Sequence, residues 1–300
     1  MDIRQSNQYA NFMKSLGWKV EHVGKWQAFV KPFPLLGSFI KIQRIGNPIP
    51  WEEIRQLAKK HRAYRVIIEP SEEFKNPQNT KYQIQDTIHS PSKTIHIDLT
   101  SSEETIFHRF NPTTRRAVRK AQKNNVTIEQ SNNIEAFIRL KTKHMFPLGF
   151  LMGREIRKLW NAFRPQDARL LLAYQTVVPI SPPIRRISNR PEIKPHAMRH
   201  YNNTYYCSDL LGGILLLFHH HTAYYWHAAA TNEGKRLFTP TLLVWEALKL
   251  AKKRGCKVFD FEGVYDERFQ KDTKNWRGFT RFKSGFGGRE IELPPPLDLH

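Results

Sequence analysis

Long apolar runs are missing from this chain of 300 residues. The longest, Leu210 to Phe218, stops far short of the roughly 20 residues that cross a bilayer. The opening Met1-Asp-Ile-Arg-Gln-Ser has no basic stretch leading into an apolar one, so no signal peptide is expected and a cytoplasmic protein is. Cysteine is almost absent. Cys207 and Cys256 form no CxxC pair, and two reduced, structural thiols are the expectation. Clustered glycines are scarce where a phosphate loop would need them. The turn Thr231-Asn-Glu-Gly-Lys-Arg236 sits between a strand and a helix, but its single glycine is a weak signal for an acyl-CoA pyrophosphate loop. His219-His220-His221 lacks a second group at ligand spacing, and consecutive strand residues point to opposite faces, so a hairpin turn is expected there and no metal site.

Acidic charge is also sparse. Lys and Arg number 48 against 27 Asp and Glu, a net charge of +21, and the sequence pI is near 10.0. A surface this basic attracts polyanions, either nucleic acid through counterion release or an anionic membrane. With 40% hydrophobic and 12% aromatic residues, the chain can build one large core or two smaller ones. A mean hydropathy of −0.58 fits a water-soluble surface.

Periodicity divides the chain into two successive α/β units. In the first, Tyr9, Phe12, Met13 and Leu16 form one face of a helix over 6–16. Apolar runs at Gln27–Val30 and Phe39–Ile42 read as strands. Pro50 introduces a helix over Trp51–His61, and the strand Tyr64–Ile68 ends at Glu69-Pro70. The second begins with the alternating Thr94-Ile-His-Ile-Asp-Leu99, and Asn111-Pro112 then has the chemistry to open a helix. Strands are expected at Leu170–Ala173, Gly213–Phe218, Ala223–His227 and Lys257–Phe261. A helix opened by Thr239-Pro240 is closed by Gly255. Residues 176–208, rich in proline and basic groups, read as an insertion with little periodicity. The expected domains are 1–93, completed by the C-terminal tail 293–300, and 94–292.

Three segments carry candidate chemistry. On a helix over 112–123, Arg116, Lys120 and Lys123 share one face with Val118 and Ala121 opposite, a shape suited to a phosphate backbone or simply to solvent. The turn Asp260-Phe-Glu-Gly-Val-Tyr-Asp-Glu267 offers carboxylates that could deprotonate an amine, though turn chemistry alone explains it better. Trp276-Arg-Gly-Phe-Thr-Arg-Phe-Lys-Ser-Gly-Phe-Gly-Gly288 mixes aromatics, cations and glycines, as a stacking site or a hairpin would.

In order, Ile97-Asp-Leu-Thr100, Thr114–Lys123, Ala223-Tyr-Tyr-Trp-His-Ala-Ala229, Phe259-Asp-Phe-Glu-Gly263 and Phe279–Gly288 resemble the Fem (FemABX) family of aminoacyl-tRNA-dependent peptidoglycan peptidyltransferases. The resemblance implies an α/β (α+β) fold of two acetyltransferase-like (GNAT-like) domains with mixed sheets, in a short form without the coiled-coil arm. It implies transfer of an amino acid from aminoacyl-tRNA to an amine of the precursor stem peptide, in UDP-MurNAc-pentapeptide or lipid II, with peripheral contact to the inner membrane face. No cofactor is implied beyond aminoacyl-tRNA as co-substrate. By motif, Phe282-Lys283 matches a Phe-Lys pair near the reacting ester, and Tyr64 and Glu69 match positions lining the precursor site. His227 stands where some members have a tyrosine, and Arg154 lies near a phosphate-binding arginine. The family's N-terminal diphosphate-gripping lysine is Asn11 here, with Lys14 nearby.

The ester is already activated, so no ATP site is required. Glu69 is the expected aid to amine deprotonation, and Lys283, oriented by Phe282, the cation stabilising the tetrahedral oxyanion. Two other readings stay open: an acyl-CoA-dependent N-acyltransferase on the same fold, and a non-catalytic RNA-binding protein.

Overall fold

The chain opens on helix α1 (Asn7–Ser15), whose N-cap Ser6 accepts from the Tyr9 amide and whose Tyr9, Phe12 and Met13 are buried. We describe a computed structural model, covering residues 1–74, 83–84, 87–143, 149–176, 198–201 and 204–299. After α1 come β1 (Lys19–Val23), β2 (Trp26–Phe33), β3 (Gly37–Ile45), α2 (Trp51–Lys60), β4 (Ala63–Pro70) and β5 (Gln83–Ile84). β1 to β3 form an antiparallel meander, and β4 returns parallel to β3. Helix α2 makes that crossover, burying Ile54 and Leu57 over Ile40, Ile42, Val66 and Ile68. Its charges suit the helix dipole, with Glu52 and Glu53 in the first turn and Lys59 and Lys60 in the last.

The second unit runs β6 (Lys93–Asp98), α3 (Glu103–Arg109), α4 (Pro112–Lys123), β7 (Val126–Ser131), α5 (Ile134–Thr142), α6 (Gly149–Phe163), β8 (Ala168–Thr176) and β9 (Met198–Tyr201). It continues through β10 (Thr204–His219), β11 (Thr222–Ala230), α7 (Asn232–Arg236), α8 (Thr239–Lys253), β12 (Val258–Asp260), α9 (Gln270–Thr273), α10 (Arg277–Ser284) and β13 (Arg289–Glu292). The last strand, β14 (Leu297–Leu299), goes back to the first sheet, between β4 and β5. The sheet orders are β1-β2-β3-β4-β14-β5 and β13-β6-β12-β11-β10-β8-β7. Both are mixed, so the chain has the expected α/β architecture of two mixed sheets flanked by helices.

The second sheet is covered on both faces. On one, α4 and α8 bury Val118, Ala121, Leu243 and Ala247 against Ile97, Leu216, Phe259 and Phe286. On the other, α5 and α6 contribute Phe137, Ile156 and Trp160, and there Tyr9, Phe12, Met13 and Phe29 of the first unit enter the same core. The two units therefore share apolar packing rather than a linker alone.

Several local readings change. Thr231–Arg236, read as a charged turn, is α7, because the Thr231 hydroxyl caps it by accepting from the Gly234 amide at 2.9 Å. The 276–288 segment, for which a hairpin stayed open, contains α10, where Phe279, Phe282 and Lys283 recur at helical spacing. His219–His221 forms the β10–β11 turn, with His220 at φ 49°. Of the 176–208 segment, 177–197 and 202–203 lie outside the described residues, while β9 pairs antiparallel with the start of β10. Cys256 is free and buried. Among the described residues, no helix is long and apolar enough to cross a membrane, and the longest have 15 residues.

Candidate active site

Strand β12 pairs with β11 only along Thr222–Tyr224, whereas β11 runs on to Ala230 beside β10. The β10–β11 register slips at this point, Leu215 facing His227 and Leu216 facing Tyr225, so Trp226 is the extra residue of a bulge. The parting of β11 and β12 opens a cleft of about 750 Å³. Tyr225, Trp226, His227, Glu262, Gly263 and Lys283 line it from the second unit, and Arg4, Tyr9, Trp18, Lys41 and Gln43 from the first. Aromatic rings close its mouth side, with Trp276, Phe279 and Phe282 supplied by the segment that ends in α10.

Lys283 lies at the heart of this cleft and is 8% exposed. Its Nζ donates to the Gly263 carbonyl at 2.6 Å and sits 5.7 Å from the centre of the Tyr225 ring. Burial pushes its pKa down to about 8, with Glu262 and Asp260 opposing the shift. The ammonium is thus mostly retained at neutral pH yet can release a proton easily. Phe282 lines the cleft and packs edge-on against Phe286, fixing the helix turn that carries Lys283. Gly263 has no room for a side chain, since an added Cβ would come within 2.6 Å of the Trp276 ring.

Beside Lys283 stands a carboxylate that motif reasoning left to turn chemistry. Glu262 adopts φ 57°, the left-handed region unusual for a non-glycine residue. Its Oε2 accepts from Arg4 Nη2 at 2.6 Å, while Oε1 is buried and has no hydrogen-bond partner among the described residues. Burial raises the Glu262 pKa; Arg4 partly offsets this and Asp260 adds to it. Asp260 itself is held low against its own burial by His96 (Nε2–Oδ2 3.3 Å), by Thr94, whose hydroxyl donates to Oδ1, and by the Glu262 amide. Two neighbouring carboxyls thus have their affinities for protons pushed apart, the pattern that assigns acid and base roles. In the sequence, Glu262 is marked by the Asp-x-Glu-Gly turn after a strand and by its place in the Fem-like stretch 259–263, neither of which gives it a role.

The other expected residues divide. His227 lines the cleft; burial, aided by Lys141, lowers its pKa to about 4 and keeps its imidazole neutral. Glu69 is 2% exposed at the end of β4 and stands behind Lys41, whose Nζ lies 3.8 Å from Oε2, so Lys41 and not Glu69 faces the cleft. Burial favours protonation of Glu69, but Lys41, Arg44, Ser90 and Arg4 more than offset it and hold the pKa below its usual value. Glu69, expected to aid deprotonation, thus lies outside the cleft lining as a counter-charge to Lys41. Tyr64, 54% exposed, stacks on Phe39 (centroids 6.4 Å) outside the cleft lining. Arg154 points outward from α6, and the next residue, Glu155, is the one that reaches the cleft. Asn11 and Lys14 are both exposed and off the lining, so the first unit's cations there are Arg4 and Lys41. Neither was singled out in the sequence, because each lies in a strand or turn without a motif.

Helix α4 displays Arg116, Lys120 and Lys123 on an exposed face, with Ala117, Val118 and Ala121 buried beneath. Lys120 lies over the Phe238 ring at 5.4 Å. Between α4, α8 and α10 a second hollow of about 430 Å³ holds Arg281 and shares Phe282 with the main cleft.

The fold is similar to a crystal structure of FemX, 16% identical, with a TM-score of 0.71, covering 99% of this chain and 92% of that one. It is also similar to the C-terminal domain of a putative lysylphosphatidylglycerol synthetase from Agrobacterium fabrum. That domain is 8% identical, with a TM-score of 0.58 and 99% and 89% coverage. A conserved protein of unknown function from Bacteroides thetaiotaomicron is 9% identical, with a TM-score of 0.60 and 99% and 91% coverage. Residues 196–295 match the model of the FemAB family. Over that third of the chain the sequence is similar to the FemAB family. The FemAB-matched stretch carries His227, Glu262, Phe282 and Lys283, while Arg4, Lys41 and Glu69 come from the chain outside it. No curated protein matches the chain by sequence.

Proposed function

We propose that this chain, similar to the FemAB family over residues 196–295, is a transferase of peptidoglycan bridge formation, moving an aminoacyl group from aminoacyl-tRNA to an amine of the precursor stem peptide. The observation that carries the reading is that Lys283 and Glu262 line one cleft walled by both units. An amine acceptor must lose a proton as it attacks, and the ester carbonyl must bear negative charge in the tetrahedral state. Glu262 has the free, buried Oε1 and the raised proton affinity for the first task. Lys283 supplies the cation for the second.

The atoms balance simply. The acceptor nitrogen forms a bond to the ester carbon and passes a proton to Glu262. The carbonyl oxygen becomes an oxyanion beside Lys283 Nζ. When it collapses, the bond to the ribose oxygen breaks, and that oxygen leaves with a proton from Lys283, whose depressed pKa makes the transfer easy. Glu262 then returns a proton to Lys283 through the cleft. His227, held neutral, and the rings of Tyr225 and Trp276 form the walls against which the aminoacyl group packs. Lys41 and Arg4 are the cations available to an acceptor's phosphates, and α4 offers its basic face to the tRNA backbone.

The test uses purified protein with labelled aminoacyl-tRNA and a muramyl-pentapeptide acceptor. Label should reach the peptide, and ribonuclease treatment of the donor should abolish it. Glu262→Gln should slow transfer by roughly 10²–10⁴-fold, the usual contribution of a general base. Label transfer that needs an added CoA thioester instead would establish the acyl-CoA reading in its place.

A further inference from the structure

The β2–β3 hairpin ends in Phe33-Pro-Leu-Leu36, and among the described residues its two leucines are left largely uncovered. Leu35 is 106% exposed and Leu36 71% exposed. A solvated turn is usually polar, so two bare leucines at a hairpin tip call for a partner. Around them the charge has one dominant sign. Arg62 lies against the hairpin, its carbonyl receiving the Ser38 amide at 3.2 Å, and is exposed. Exposed Lys19 stands on an adjoining rung opposite Val30, while Lys31, opposite Phe39, turns its Nζ to the Leu16 carbonyl at 2.9 Å. The ring of Tyr64 rests on Phe33, 6.1 Å between centroids.

We infer that this tip docks on an anionic phospholipid surface, inserting Leu35 and Leu36 among the acyl chains while the neighbouring cations meet the headgroups. Leucine at the tip, an aromatic ring at its base and cations beyond form the order in which a bilayer interface becomes more polar. The site is also continuous with the cleft. Phe39 touches both Tyr64 (6.4 Å) and Trp18 (6.1 Å), and Trp18 lines the cleft. An aromatic path thus leads from the membrane-facing tip to the reacting groups, which suits an acceptor whose reactive peptide is tethered to a lipid. That last clause rests on the proposed transferase reading, whereas the docking itself does not.

Co-sedimentation with vesicles of phosphatidylglycerol or of phosphatidylcholine tests the docking without any turnover. The protein should bind the phosphatidylglycerol vesicles, weaken with added salt and largely ignore phosphatidylcholine. L35D/L36D, at two exposed positions off the cleft, should raise the Kd by about tenfold or more through lost apolar insertion. Its circular dichroism and transfer to a soluble acceptor should match wild type. Failure of the wild type to bind anionic vesicles, or equal binding by L35D/L36D, overturns the proposal and leaves the tip as a contact for another protein. A wild type that binds anionic vesicles but transfers no label would count against the transferase reading alone.

Discussion

Arg4 and Glu262, 258 residues apart in the chain, meet in a buried ion pair of 2.6 Å. The contact fastens the N-terminal segment to the end of β12, and with it one wall of the cleft to the other. It also leaves Glu262 only one neutralised oxygen. Stability and reactivity consequently meet at the same side chain.

Removing one partner should cost far more than removing both. Arg4→Met strands a buried carboxylate, and breaking such a pair costs about 3–5 kcal/mol. The double variant R4M/E262Q should lose distinctly less, because no uncompensated charge remains. Urea denaturation of the two variants beside wild type and E262Q measures the coupling. Equal losses for R4M and the double variant would mean that the pair contributes packing and not electrostatics.

Lys283→Met should lower the single-turnover rate by roughly 10²–10³-fold, the usual effect of losing one oxyanion-stabilising group. Its folding stability should move differently. Wild-type Lys283 is buried and its folded-state pKa is depressed to about 8 from 10.5. Between those values the unfolded chain holds more protons, so wild-type stability gains from this group as pH rises from 8 to 10.5. The Met variant should lack that rise and be no less stable than wild type at pH 7. Melting curves across that range decide the matter, and an unchanged pH slope in the variant would place Lys283 in solvent.

His227 gives the corresponding effect in acid. Its folded-state pKa, lowered to about 4 by burial and by Lys141, lies below the ordinary 6.5. The unfolded chain therefore takes up the proton first, and stability should fall as pH drops from 6.5 towards 4. In His227→Phe that part of the acid slope should disappear. The imidazole resonance of wild type, followed by NMR, should titrate near 4, and a midpoint close to 6.5 would show an exposed ring.

Arg116→Gln, Lys120→Gln and Lys123→Gln combined should weaken tRNA binding without altering the melting temperature, since all three side chains are exposed. The logarithm of affinity against that of salt should flatten by about 0.7–0.9 for each lost phosphate contact. Filter binding over a salt series measures it. An unaltered slope would leave α4 with an ordinary solvated face.

Elements whose signals are local were readable in advance. Ser6 and Asn111 cap their helices by accepting from amides three residues on, and Gly255 at φ +79° follows the end of α8. The alternation of Ile95, Ile97 and Leu99 is the buried face of β6. α5 and α6 were not singled out, although their apolar faces are regular, because the surrounding loop chemistry gave no clear start. The Fem-like motifs pointed to Phe282, Lys283 and His227, all of which line the cleft.

The sequence by itself determined the two α/β units, the basic surface and the amphipathic face of α4, because periodicity, caps and charge act over a few residues. Only tertiary structure decided which carboxylate shares the cleft with Lys283. Glu69 lies at the end of one strand and Glu262 just after another, and the two look alike in sequence, but three neighbouring cations surround the first and seal it behind Lys41. The second is turned by a left-handed backbone into the gap between β11 and β12, where Arg4 arrives from the other end of the chain. Proton affinity depends on burial and on charges within a few ångströms, and those distances are set by which strands pair, not by which residues are neighbours along the chain.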